Sequence, residues 1–143
     1  MSTWFIAGAS RGLGAEITRT ALARGHQVVA TARDAAQVRA AFPGAGDALL
    51  AVPLDVTSLA QVGAAVHAAT DRFGGIDVLV NNAGHELLSA VEGATEAEIR
   101  PARDVSVLAM LALTRVVRPA MRSPGSGTIV NLTPPGAPVF VRS

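Results

Sequence analysis

The residues best suited to chemistry lie at the start of the chain, in Ala7-Gly8-Ala9-Ser10-Arg11-Gly12-Leu13-Gly14. An apolar run, Trp4–Ala7, precedes this segment, and a helical pattern, Leu13–Arg24, follows it. Glycines at 8, 12 and 14 permit a sharp turn and let the backbone approach a ligand with no Cβ in the way. The helix that begins there offers unpaired N–H groups and a partial positive charge, the environment a pyrophosphate needs. Three glycines alone also make an ordinary tight loop; the strand–turn–helix context is what favours a phosphate. Arg11 sits inside the turn, and Arg33 follows the second apolar run, Val28-Val29-Ala30-Thr31-Ala32-Arg33. Guanidinium groups bind phosphate esters in a bidentate way, so this pair suits the 2′-phosphate of NADP. An NAD site instead needs an acid after the second strand to accept from the ribose 2′-OH. Asp34 is that acid if the register shifts by one, so NAD stays as the alternative, and solvated surface charge is the reading without a ligand.

The elements that must position these residues alternate along the chain. Trp4–Ala7, Gln27–Thr31, Leu49–Leu54, Ile76–Asn81 and Thr128–Leu132 are short and rich in Val, Ile and Leu. They are apolar throughout rather than alternating, as strands covered on both faces are. Leu13–Arg24 reads as a helix stopped by Gly25. In Ser58–Phe73, Leu59, Val62, Val66 and Phe73 share one face, and Ser58-x-x-Gln61 forms a capping box. Thr95-x-x-Glu98 resembles another such box, ahead of Pro101. Strand–helix–strand repetition predicts an α/β fold with a doubly wound, Rossmann-like parallel sheet. The segment 102–121 reads as one helix that is apolar all round from 105 to 113 except at Ser106. Such a helix wants cover on both sides, from the core, a partner subunit or both. Pro134-Pro135-Gly136-Ala137-Pro138 reads as a loop leading to no further element.

The spacing G-x-x-x-G-x-G resembles the turn of the short-chain dehydrogenase/reductase family, with Ala7 in place of the usual Thr. Other matches follow in register. Leu54-Asp55-Val56 resembles the strand end whose Asp contacts adenine. Asn81-Asn82-Ala83-Gly84 reproduces the family's N-N-A-G. The segments from Thr114-Arg115 to Met121-Arg122 and Gly127-Thr128-Ile129-Val130-Asn131 resemble its fifth helix and strand. The resemblance covers nearly all of the chain. It implies a sheet of about five strands in the order 3-2-1-4-5, with 1–143 a single dinucleotide-binding domain shortened before the family's last strands and helices. The residues it assigns to a nicotinamide dinucleotide are Gly8, Ser10, Arg11, Gly12, Leu13, Gly14, Arg33, Asp55, Val56, Asn81, Ala83 and Gly84.

At the catalytic positions the match fails. The family's catalysis uses Asn, Ser, Tyr and Lys: the Tyr exchanges a proton with the substrate oxygen, and the Lys lowers its pKa. Counting back from Thr114 puts Ser106 at the Asn position. At the Ser position, counting from Asn131 gives Pro134, whereas aligning on Gly136 gives Thr133; both alignments stand. The chain contains no Tyr, and each of its 12 basic residues is Arg, so the Tyr-x-x-x-Lys pair is absent. His26, His67 and His85 are scattered without metal-ligand spacing, and Glu86 and Asp104 read as surface acids.

Composition bounds the remaining readings. Half of the 143 residues are apolar and 16% are charged, as in a globular chain. No cysteine is present, which removes disulfides and thiolate chemistry. A formal charge of +1 without a basic block leaves no footprint for nucleic acid. No run is long enough for a membrane span and no leader pattern opens the chain, so a cytoplasmic protein is expected. The functional expectations are an NADP-dependent oxidoreductase lineage, a dinucleotide-binding module without catalysis, and an interaction module. The last would be a homo-oligomer joined through helix 102–121 and an exposed fifth strand.

Overall fold

The computed structural model describes residues 1–82, 95–97, 100, 107–121, 126–132 and 139–142. Strand β1 (Thr3–Ala7) ends at Gly8, whose φ of 76° turns the chain into helix α1 (Gly12–Ala23). Gly25, at φ 82°, ends that helix with its N–H on the Leu22 carbonyl, and β2 (Gln27–Ala32) follows. Helix α2 (Ala35–Ala41) is capped by Asp34, and β3 (Leu49–Pro53) comes after a short 3-10 turn. Helix α3 (Leu59–Phe73) ends at the left-handed Gly74 and leads to β4 (Val78–Asn81). The remaining described elements are α4 (Ala109–Val117), β5 (Thr128–Asn131) and β6 (Val139–Arg142).

The strands form one sheet in the order β3-β2-β1-β4-β5-β6. Pairings from β3 to β5 are parallel, so the expected five-strand order 3-2-1-4-5 holds. Beyond it β6 lies antiparallel on β5, pairing Ile129 with Val141 and Asn131 with Val139. The fifth strand is therefore not an exposed edge. The Pro-rich stretch itself lies outside the described residues, but it does not lead nowhere: β6 follows it in the chain and pairs with β5.

Side chains alternate across the sheet, as the period of a strand requires. One face sends Phe5, Val29, Leu79 and Ile129 against Val62, Ala65 and Val66 of α3 and Leu113 and Val117 of α4. The other sends Ile6, Val28, Ala30 and Val80 against Ala15 and Ala21 of α1 and Val38 of α2. Phe5, Ile6 and Leu79 are fully buried, each contributing about 1.5–3 kcal/mol of apolar burial. The cover is uneven. On the second face Val78, Val130 and Leu132, along β4 and β5, are only half-buried. Beside them the Trp4 indole Nε1 is buried without a hydrogen-bond partner among the described residues.

Two expected helical faces need correction. Leu59 is 70% exposed, because it opens α3 before the helix reaches the sheet; Val62, Ala65, Val66 and Ala69 carry the contact. The segment 102–121 is apolar all round over 107–113 as expected but, where it is described, is covered on one side only. Ala109, Leu113 and Val117 face the core, while Val107, Leu108, Leu111, Arg115 and Arg118 face outward. The regular helix spans Ala109–Val117 and tightens into a 3-10 turn at Arg118–Ala120, where Pro119 cannot donate. No helix among the described residues is long and apolar enough to cross a membrane.

Candidate cofactor site

In an open parallel sheet, ligands bind beyond the carboxyl ends of the strands, where the strand order reverses. Here that point lies between β1 and β4. The glycine turn stands over it. Gly12 has φ 61°, a conformation that side chains resist, and a Cβ there would meet nothing within 4 Å, so the space above it is open. Gly14 is required for a different reason. A Cβ on it would collide with the Gly8 carbonyl oxygen and come within 2.6 Å of Asn82 Nδ2. The turn is closed from below by Ala9, which donates to the Thr31 carbonyl at 2.8 Å, and by Asn82 Nδ2, which donates to the Gly8 carbonyl at 2.9 Å. Thr18 Oγ1 donates back to the Gly14 carbonyl at 2.8 Å and steadies the first turn of α1.

The start of α1 carries no side-chain cap from Arg11 and no acid in its first turn. Its leading N–H groups and dipole are thus directed at the open space above Gly12, which fits an anionic pyrophosphate. Arg11, Gly12 and Leu13 are exposed there, while Ser10 is half-buried. Further along the rim, Arg33 is exposed just past β2, and Asp55 and Val56 are half-buried just past β3. Asp34 caps α2, its Oδ1 accepting from Ala36 N at 2.9 Å.

Asp55 is held in place by its own loop. Its Oδ1 accepts from Thr57 Oγ1 at 2.6 Å and from Thr57 N at 2.9 Å, and its N–H donates to Gln61 Oε1 at 2.7 Å. Thr57's hydroxyl, then its N–H, and more weakly the nearby Arg33 charge hold the Asp55 carboxyl below the usual carboxylate range, against a small opposing effect of burial. The capping box is half as expected: Ser58 Oγ accepts from Gln61 N at 3.3 Å, but Gln61 reaches back to Asp55 rather than to Ser58.

On the far side of the crevice, Asn81 Nδ2 donates to Asn131 Oδ1 at 2.7 Å and lies 3.4 Å from Thr114 Oγ1. These bonds tie the ends of β4 and β5 to α4. The Asn81 Oδ1 is buried without a partner among the described residues. Residues 107–108 wind as a π-helical turn before α4, a geometry common near functional sites.

The chain matches the model of the short chain dehydrogenase family over residues 2–137. It belongs to that family. A ketoacyl reductase from Nostoc sp. is 40% identical over 133 residues, 91% of this chain and 46% of that protein. The crystal structure of a short-chain dehydrogenase from Streptomyces avermitilis shares 37% identity at a TM-score of 0.80, covering 91% of this chain and 48% of the other. A 3-ketoacyl-(acyl-carrier-protein) reductase from Brucella melitensis, complexed with NADH, shares 33% identity at a TM-score of 0.72, covering 83% of this chain and 50% of its own. The chain spans about half the length of the relatives it matches.

Membership in the short-chain dehydrogenases implies a nicotinamide cofactor, and the open glycine turn fits one. Gly8, Ser10, Arg11, Gly12, Leu13 and Gly14 line a single turn, with Asn81 and Asn82 at its floor and Arg33, Asp55 and Val56 along one rim. Ala83, Gly84, Ser106 and Thr133 lie outside the described residues. The family pattern did not flag Thr57 and Gln61, which hold Asp55, or Asp34 as a cap. The signal for the last was present: Asp before Ala-Ala-Gln is a good N-cap sequence.

Proposed function

We propose that this chain is the NADP-binding portion of a short-chain dehydrogenase whose whole protein moves hydride between NADPH and a carbonyl or alcohol. The observation that supports the cofactor choice is that two cations, Arg11 in the glycine turn and Arg33 just past β2, are exposed, while the acid next to Arg33, Asp34, gives one carboxylate oxygen to the cap of α2. The backbone of Gly12, Leu13 and Gly14 would hold the pyrophosphate at the start of α1. Asp55 Oδ1 is taken by Thr57, which leaves Oδ2 for the amino group of adenine, with the Val56 N–H beside it. Bound nicotinamide supplies or accepts the hydride; the residues described here grip and orient the dinucleotide.

Calorimetric titration tests this reading. NADP is expected to bind about tenfold or more tightly than NAD, and Arg33→Ala to lower NADP affinity about tenfold while sparing NAD, as loss of a charge-assisted bond implies. Tighter NAD binding by the unmodified chain would overturn it. The sequence offers no phenol or amine for proton transfer to a carbonyl, having no Tyr and no Lys. We therefore expect the 143-residue chain to bind NADPH without oxidising it in the presence of ketones; sustained, protein-dependent turnover would contradict this.

A second reading rests on the outward stripe of α4. Val107, Leu108 and Leu111 are 45%, 59% and 56% exposed in adjoining helical turns, which supports association through this helix. Leu111→Glu is expected to lower the mass measured by light scattering.

A further inference from the structure

Past the end of β3 the chain folds back on Asp55. Leu54 N donates to the Ala32 carbonyl at 2.8 Å, which pins the preceding residue to β2. Asp55's own N–H donates to Gln61 Oε1 at 2.7 Å, and its carbonyl accepts from Ser58 N at 3.0 Å. Its Oδ1 accepts twice from one residue, from Thr57 N at 2.9 Å and from Thr57 Oγ1 at 2.6 Å. Two donors on one oxygen set the rotation of the carboxylate as well as its position. Among the described residues no donor meets Oδ2, and the Val56 N–H has no acceptor. The half-buried rim therefore presents a free acceptor and a free donor on adjoining residues. Adenine carries the complement, since its 6-amino group donates and its N1 accepts. A 6-oxopurine such as hypoxanthine reverses both, with an acceptor at O6 and a donor at N1. An ionised carboxylate only accepts, so Oδ2 has no hydrogen to give to O6.

We propose that Thr57 is a positioning residue that makes the adenine end of the site select a 6-aminopurine over a 6-oxopurine, by occupying Oδ1 and so fixing Oδ2 as the oxygen that meets the base. Thr57 acts through Asp55 and not on the base. Its hydroxyl is also the largest influence that keeps this carboxyl below the usual carboxylate range, and thus an acceptor. The proposal rests on the reading of this chain as a dinucleotide binder whose Asp55 takes adenine, and it is independent of the choice between NADP and NAD. A site that matches a donor on its ligand rejects the analogue lacking it, because its own polar groups are then left unpaired. If Thr57 did no more than hold the loop together, its loss would weaken every dinucleotide alike.

Calorimetric titration of the full chain with NADP and with its deaminated form, nicotinamide hypoxanthine dinucleotide phosphate, reads this selectivity. NADP is expected to bind about tenfold more tightly, the worth of a hydrogen bond to a charged group. Thr57→Val keeps the side chain's shape and loses the hydroxyl. It is expected to lower the ratio to about threefold or less by weakening NADP, with affinity for the deaminated form unchanged. Thr57→Ala, a second variant without the hydroxyl, is expected to match it, and Thr57→Ser to restore the ratio. The same measurements with NAD and deaminated NAD are expected to give the same ratios. A ratio near one in the unmodified chain, equal weakening of both forms by Thr57→Val and Thr57→Ala, or no rescue by Thr57→Ser would overturn the proposal while leaving dinucleotide binding in place. Tighter binding of NAD than of NADP, with the preference for the amino form intact, would overturn only the 2′-phosphate reading. Failure of all four dinucleotides to bind would overturn both.

Discussion

The β3–β2–β1 half of the sheet and the β4–β5–β6 half are built to different standards. In the first, each strand end passes into a loop whose polar groups are matched: Asp34 on Ala36, Asp55 on Thr57, Asn82 on the Gly8 carbonyl. Helices α1 and α2 lie on one side of it and α3 on the other. In the second, a buried amide oxygen on Asn81 has no partner among the described residues, Val78, Val130 and Leu132 are half-covered, and the last strand runs against the others. On the proposed reading the first half supplies most of the grip on a dinucleotide, with Asn82 of the second half as the floor of its turn. The positions that the family resemblance gives to catalysis, Ser106 and Thr133 or Pro134, lie outside the described residues. If grip is set mainly by the first half, perturbing the second should leave it largely intact.

The largest effect should come from the glycine where the turn and the crevice floor meet. Gly14→Val forces a side chain into the Gly8 carbonyl and Asn82. Because the obstacle is backbone and cannot swing aside, a loss of about 3 kcal/mol or more is expected in denaturant unfolding, with no measurable NADP binding. If this variant keeps its stability and binds normally, the close packing that defines the gripping half is not needed.

Asn82→Ala should rank next, since this side chain joins the halves. It deletes a bond to the Gly8 carbonyl from a residue only 8% exposed, so about 1–2 kcal/mol of stability is expected to go. NADP affinity should fall with it, because the turn loses its floor. Asn81→Leu is the contrasting change in the neighbouring residue. It removes an oxygen that has no partner along with the bond to Asn131, and Asn131 is open enough to find water. The net cost should stay below about 1 kcal/mol, with NADP affinity lowered less than by Asn82→Ala. Equal losses of affinity at 81 and 82 would dissolve the division.

The two halves also differ in how far they could be read from residues alone. The glycine turn, the strand–helix alternation, Gly25 as a stop and Ser58 as a cap are local signals, each set by backbone conformation or by a bond to a residue close in sequence. The first half is made of such signals. The least legible part of it is α2, because an Asp after a strand suits a ribose hydroxyl as well as it suits a helix N-terminus. In the second half the deciding facts are not local. Val139–Arg142 becomes a strand only because β5 offers it Ile129 and Asn131. Which side of α4 is wet depends on where α3 and the sheet stand, so an all-apolar stretch could not divide itself into Leu113 inside and Leu111 outside. Leu59 failed for a similar reason, since helical periodicity marks a face but not where along it the contact begins.

The smallest predicted effect concerns acid. Asp55's carboxyl sits below the ordinary aspartate range in the folded chain, held chiefly by Thr57 and assisted by Arg33. A lowered folded value means that the ionised carboxyl stabilises the fold above the ordinary value and that this contribution fades as pH falls through the folded one. The stability difference between the unmodified chain and Asp55→Asn should therefore be constant near neutrality. It should shrink below about pH 3.9, the ordinary aspartate value. Solvent screening at this half-exposed site keeps the difference small, so paired urea midpoints measured at each pH are the suitable readout. Thr57→Ala should remove most of the pH dependence and Arg33→Ala only a little. The reverse order would mean that the rim is organised by charge rather than by the loop's own hydrogen bonds, and that the gripping half draws its order from the arginines it also needs for the 2′-phosphate.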